Sequence, residues 1–197
     1  MSKRYKIWLS AIFIMIIIVV SVGVFKAFFK KEPDNTPKNA TSIISNITEY
    51  GYTLDDRDTK YMKEVYKELE NILKESEIDY EEYARVLAKL FVIDFYTLSN
   101  KINKYDVGSL EYILSSSVSS FKSKAMDTIY NDIIDNTYKD RIQELPEITN
   151  VEILKFEEDT IEIEEKETDC YKVSMKYKYR KDLGYDTSGT VYLVRNN

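Results

Sequence analysis

Asp94 is the residue whose type and position most invite chemistry. Between residues 79 and 98, Tyr83, Val86, Leu87, Leu90, Phe91 and Leu98 recur at helical spacing. At 3.6 residues per turn Asp94 falls on that apolar face, in line with Tyr83 and between Leu87 and Leu90. A carboxylate placed there must be paired, hydrogen-bonded or neutral, because burying it bare costs several kcal/mol. Such a group can abstract a proton from a bound molecule. It can equally act as a brace for a tyrosine hydroxyl or a backbone N–H, and the 17 tyrosines of the chain favour the brace. For a brace, Asp94→Asn should be tolerated, since asparagine keeps the shape and much of the hydrogen bonding. Tyr83, Tyr177 and Tyr179 are the aromatic groups expected to line a pocket with Asp94, with packing of the strand itself as the alternative.

Other chemistry is sparsely provided for. The chain has no histidine, which removes the commonest general base and metal ligand. Cys170 is the single cysteine, with Asp169 beside it; neither a disulfide nor an activated thiol is expected. The acidic run Glu157-Glu158-Asp159 with Glu162, Glu164, Glu165 and Glu167 lacks the glycine and spacing of a calcium loop, and reads as a solvated strand face. Asp55, Asp56 and Asp58 are placed to favour the N-terminus of the helix that follows them. No phosphate loop, nucleophile elbow or zinc spacing is present in the sequence. No metal, no cofactor and no catalytic residue is expected.

The elements that must carry these residues divide the 197-residue chain into an anchor and a domain. Residues 1–6 form a short basic tail. Ile7 to Phe25 is uncharged and apolar, long enough as a helix to span roughly 28 Å of hydrocarbon. Lys3, Arg4 and Lys6 fence one end; Lys26, Lys30 and Lys31 fence the other, with Trp8, Phe28 and Phe29 at interfacial positions. Ser21 and Gly23 could suit a cleavage site, but the apolar run continues past them, so an uncleaved single-pass anchor is expected. Residues 26–52 read as a linker containing Pro33 and Pro37.

The remaining stretch, 53–197, reads as one α+β domain. A first helix runs from Asp58 to about Ser76. A second starts at Asp79 and is apolar nearly all round from Leu90 to Leu98, which marks it as central. After a break at Asn103, Asp106 and Gly108, a short turn at Ser109–Leu114 precedes a third helix, expected from Val118 to about Asn136. Beyond Pro146 the period changes to two. Val151–Glu157 is a strand. Tyr171, Val173, Met175, Tyr177 and Tyr179 alternate with Lys172, Ser174, Lys176, Lys178 and Arg180, one face buried and one wet. Thr190–Arg195, apolar on both faces, is expected to be a central strand. The chain closes at Arg195-Asn196-Asn197 with little room for another strand, so a sheet with an open edge is expected.

Charge narrows the partners. The whole chain carries −6; residues 1–31 hold six Lys/Arg and no acid, leaving 22 Lys/Arg against 34 Asp/Glu, a balance of −12. Nucleic acid is a poor partner for such a domain. A short basic tail ahead of the anchor places the N-terminus inside and the domain outside the cell membrane.

The element order, the buried helix Tyr83–Leu98 and the strand pattern YKVSMKYKYRKD followed by GTVYLV resemble the nuclear transport factor two-like fold, a cone of curved antiparallel sheet around a helix. With the tail, anchor and linker in front, the chain resembles the bitopic scaffold subunits of bacterial conjugation and type IV secretion machines. That resemblance implies a membrane-inserted, non-catalytic scaffold acting by self-association and contact with other membrane proteins. Two alternatives stay open: a ligand-binding or sensing domain that uses the cone as a pocket, and an enzyme built around Asp94, a role that pocket carboxylates of this fold perform.

Overall fold

The computed structural model describes residues 41–195. The expected membrane helix 7–25, its flanks and the start of the linker lie outside the described residues. Among those described, no helix is long and apolar enough to cross a membrane.

The described chain opens on an antiparallel hairpin of β1 (Ile43–Ile47) and β2 (Tyr52–Asp55). Gly51 turns it at φ +74, and its N–H donates to the Ile47 carbonyl at 2.9 Å, a conformation that a side chain would strain. Strand β1 lies inside the stretch 26–52 read as linker, because a polar sequence carrying Ile43, Ile44 and Ile47 gives little sign of its pairing partner.

Helix α1 (Lys60–Ile72) is capped by Thr59, whose hydroxyl accepts the Met62 N–H at 3.1 Å. Its apolar stripe, Met62, Val65, Tyr66 and Leu69, is buried. Helix α2 (Tyr80–Tyr96) is capped by Asp79, which accepts the N–H groups of Glu81 and Glu82 at 3.0 and 3.1 Å. Its buried residues, Ala84, Val86, Ala88, Leu90, Val92, Ile93 and Phe95, are distributed around the axis, so it is covered on several sides, as its apolar second half requires. A single 3-10 turn (Leu110–Tyr112) leads to α3 (Val118–Asp127).

Helix α3 is shorter than the spacing of Ile129 and Ile133 predicts. It stops at Thr128, whose hydroxyl turns back onto the Lys124 carbonyl at 2.6 Å. The chain then turns Tyr130 wholly into the core, where its hydroxyl donates to the Phe95 carbonyl at 2.8 Å. Burying that ring beside Phe95 and Phe121 prevails over continuing the helical period.

The sheet has the order β3 (Ile148–Ile163), β4 (Lys166–Tyr179), β5 (Ser188–Val194), all antiparallel. Irregularities at Ile148/Asn150 and Ile153/Lys155 bend β3, and the curved sheet folds over α2. The domain is α+β. Its inner sheet face, including Val151, Val173, Met175 and Tyr177, meets α1 and α2 in one apolar cluster. A second cluster joins the end of α2, Phe95 and Leu98, to Val107, Ala125, Tyr130 and Ile133. The outer sheet face is polar. Lys172 meets Glu157 at 3.8 Å and Asp159 at 3.5 Å, and the Ser174 and Thr190 hydroxyls lie 3.0 Å apart. The alternation expected for 171–179 is therefore present, with the tyrosine side in and the lysine side out.

The expected central place of the last strand is corrected. Strand β5 pairs only with β4, which is the central one. Val191 and Leu193 pack inward, whereas Tyr192 on the opposite face is 46% exposed, so apolarity on both faces here accompanies an edge.

Candidate functional site

The C-terminal half of α2 and the loop that follows it build the site. Lys101 is 5% exposed, and its ammonium pairs directly with an Asp94 carboxylate oxygen. The other oxygen accepts the Ser109 N–H and lies 3.3 Å from the Ser109 hydroxyl, which also donates to the Phe91 carbonyl at 2.8 Å. Ser109 adopts φ +64, a left-handed conformation uncommon outside glycine, and this aims its N–H at Asp94. Burial alone would lower the Lys101 pKa; Asp94 beside it raises it further still, with Tyr130 and Asp106 adding to the upward shift. Asp94 is thus a brace, as the sequence favours, but its main partner is a lysine rather than a tyrosine.

Gly108 is what lets this brace close. A Cβ there would lie 2.7 Å from the Asp94 carbonyl oxygen and 2.8 Å from each carboxylate oxygen. Its N–H donates to the Tyr130 hydroxyl at 3.1 Å, linking the brace to the second apolar cluster. In the sequence Gly108 reads only as a helix breaker.

A second ion-pair group faces the first across a cleft of about 180 Å³. Arg57 contacts Asp106 at 2.5 Å, Asp55 at 3.2 Å and the Asn100 carbonyl at 2.9 Å. Burial raises the Asp106 pKa, but the hydrogen bonds from Arg57 and the Ile102 N–H outweigh it and the net shift is downward. Asp58 accepts the Asp55 N–H at 2.8 Å. Burial pushes its pKa up to about 6, with Asp55 and Asp94 adding repulsion. Asp58 directly precedes the Thr59 cap of α1, whose first turn holds no acid, and with Asp55 it also belongs to a corner network that only the folded loop brings together. The sequence offers Arg57, Lys101, Asp106 and Ser109 no pattern that marks them, because their partners are supplied by four separate segments.

The tyrosines fall elsewhere. The Tyr83 hydroxyl meets that of Tyr52 at 2.6 Å, and burial followed by this contact raises its pKa. Tyr177 stacks on Tyr96 with centroids 5.2 Å apart, and Tyr179 meets Tyr177 edge-on at 5.9 Å. Their hydroxyls donate to the carbonyls of Ser188 and Asp186 at 3.1 and 3.0 Å. None of the three lines the cleft that contains Asp94. The expected four-residue pocket is therefore not assembled. Tyr83, Tyr177 and Tyr179 pack the inner sheet face and the hairpin. Cys170 is buried, and its thiol pKa is raised by burial and by Asp159 and Asp169.

Among the described residues no group of three or more acidic or thiol side chains is arranged to hold a metal ion. The carboxylate oxygens of Asp94 are both engaged, and the Ser109 hydroxyl is shared between the Phe91 carbonyl and Asp94. Around Asp94 the cleft as built offers bracing more readily than proton abstraction. No family model, curated protein or solved structure matches the chain.

Proposed function

We propose that this chain is a membrane-anchored, non-catalytic assembly protein that acts by contact through its α+β domain, in the manner of the bitopic scaffold subunits of conjugation and type IV secretion machines. The observation that carries the reading is the contrast between the two sheet edges. Proteins blunt exposed edges with charges, proline or bulges. Strand β3 has both: two irregularities and a row of acidic and basic side chains. Strand β5, Ser188–Val194, has no charge and no proline, and on its far side pairs with no strand among the described residues. An edge left in that state suits strand addition by another chain. Anchoring by residues 7–25 would confine copies to a thin layer and raise their effective concentration, so that weak edge contacts assemble. On this reading the domain lies outside the cell membrane, with the basic tail inside.

The test is disulfide trapping in native membranes. With Cys170→Ser as background, Thr190→Cys and Tyr192→Cys on β5 are expected to give covalent dimers, while Glu152→Cys on β3 stays monomeric. Monomers at all three positions would remove the scaffold reading and leave ligand binding as the better account.

A further inference from the structure

Strand β5 presents its free edge in a pattern that fits one partner in one register. The Tyr177 N–H donates to the Thr187 carbonyl at 2.8 Å, and the β4–β5 pairing then runs without a shift from Lys176↔Ser188 to Cys170↔Val194. In an antiparallel ladder, successive residues turn their backbone groups alternately toward the neighbouring strand and away from it. Gly189, Val191 and Leu193 therefore bond to β4. Ser188, Thr190, Tyr192 and Val194 turn their N–H and C=O groups to the open edge. The Tyr177 hydroxyl reaches the Ser188 carbonyl at 3.1 Å, which keeps a second lone pair.

Side chains follow the same alternation. Val191 and Leu193 lie on the inner face, against the main core. Gly189 shares that face, and a Cβ there would stand 3.5 Å from the Tyr177 hydroxyl. Thr190 and Tyr192 lie on the outer face, beside Ser174 and Lys172.

The strand is uncharged, and its flanks carry opposite signs: Asp186 precedes it and Arg195 follows it. Neither forms an ion pair among the described residues. Arg195 lies over the Tyr80 ring at 4.2 Å and donates to its hydroxyl at 3.0 Å. Asp186 accepts the Tyr179 hydroxyl through its backbone carbonyl. Both charges face the inner side. Tyr80 opens α2, and the Tyr177 and Tyr179 hydroxyls, whose pKa values are raised by burial first, feel Asp186 among their neighbours.

We propose, resting on the assembly reading above, that β5 pairs with β5 of a second copy, antiparallel about a two-fold axis at Val191, so that two three-stranded sheets become one. This register uses every outward-facing residue: Thr190 bonds to Tyr192 of the second copy, and Ser188 to its Val194. Centring on Thr190 or Tyr192 leaves an end residue without a strand to pair with. On the inner face, Val191 meets Val191 of the second copy, and Leu193 comes opposite its Gly189, where no side chain stands in the way. At each end Arg195 comes opposite Thr187 of the second copy and next to its Asp186, so opposite charges meet twice. Addition to β3 instead would set β5 against a bent edge lined with charge. Pairing of like edges about a two-fold closes at the dimer.

The test is a cysteine scan of the full chain in native membranes. Thr190→Cys, Val191→Cys and Tyr192→Cys, each with Cys170→Ser, are compared by their rates of disulfide formation. A residue on the axis faces itself in a non-hydrogen-bonded pair, about 4.5 Å between Cα atoms. Thr190 and Tyr192 stand two residues away from their own copies, roughly 9 Å apart, and bridge only when the strands slide. Val191→Cys is expected to trap about tenfold faster than either neighbour. Mixed Thr190→Cys and Tyr192→Cys copies should trap faster than either alone. Asp186→Arg or Arg195→Asp should slow trapping at Val191→Cys, and the two together should restore it. A maximum at position 190 or 192, equal rates at all three positions, or slowing that the double exchange does not reverse overturns this pairing and leaves the assembly reading standing. No dimer at any of the three positions removes both.

Discussion

Lys101→Met is expected to destabilise the domain by about 3–5 kcal/mol, the usual cost of removing one partner of a buried ion pair. The methionine fills much of the volume, so the loss reports charge rather than a cavity. Asp94 would keep the Ser109 N–H and hydroxyl but lose the ammonium it pairs with. The reciprocal change Asp94→Asn strands the Lys101 ammonium, which is 5% exposed, and a loss of similar size is expected. The sequence alone argues the opposite for Asp94→Asn, because on a helix face the only partners in view are tyrosines and backbone. The double variant Asp94→Asn/Lys101→Met should recover part of the loss, since it leaves no buried charge and the asparagine oxygen can still accept the Ser109 N–H. Urea midpoints of the four proteins would check this. Equal, additive losses in the two single variants and the double would show that the pair is not coupled.

That reversal marks where sequence reading stops. Periodicity finds α1, α2 and β4 because each element's burial is set by its own spacing: Met62, Val65, Tyr66 and Leu69 on α1, or Val173, Met175 and Tyr177 on β4. The cap at Asp79 is equally local. Asp94 itself can be placed on the core side of α2 by counting. Its partner cannot, because Lys101 follows the end of the helix at Tyr96, in a loop whose path is set by contacts far along the chain. The Pro146 carbonyl, for example, receives the N–H groups of Leu98 and Ser99 at 2.9 and 3.1 Å.

The short α3 and the edge position of β5 share one origin. Ile129 and Ile133 continue the α3 period, but Tyr130 is worth more buried between Phe95 and the Gly108 N–H than exposed on a longer helix. In β5 the apolar run is real, and it takes the pairing order to show that the strand is an edge rather than a centre. Both depend on which distant segments arrive, and local pattern does not encode that. The cleft is the extreme case, drawing Asp55 and Arg57 from the end of β2, Asp94 from α2, Lys101 and Asp106 from the loop, and Glu111 from the 3-10 turn.

Gly108→Ala should be the most damaging of the glycine-to-alanine changes among the described residues. The new Cβ would sit 2.7 Å from the Asp94 carbonyl oxygen and 2.8 Å from both of its carboxylate oxygens. None of these atoms can yield cheaply. The carbonyl belongs to the central helix, and the carboxylate is fixed by Lys101 on one side and by Ser109 on the other. Relief would require the 107–109 backbone to withdraw, which lengthens the Ser109 contact to Asp94 and pulls the Gly108 N–H from the Tyr130 hydroxyl. Overpacking costs typically 1–3 kcal/mol, and a loosened ion pair adds to it, so a loss of about 3 kcal/mol or more is expected. Gly51→Ala and Gly184→Ala, where a Cβ meets nothing within 4 Å but the backbone sits at positive φ, show what left-handed strain costs without overpacking. Thermal melts of the three variants separate the causes. A Gly108→Ala loss no larger than that of the controls would mean that the brace between Asp94 and Lys101 has room to spare.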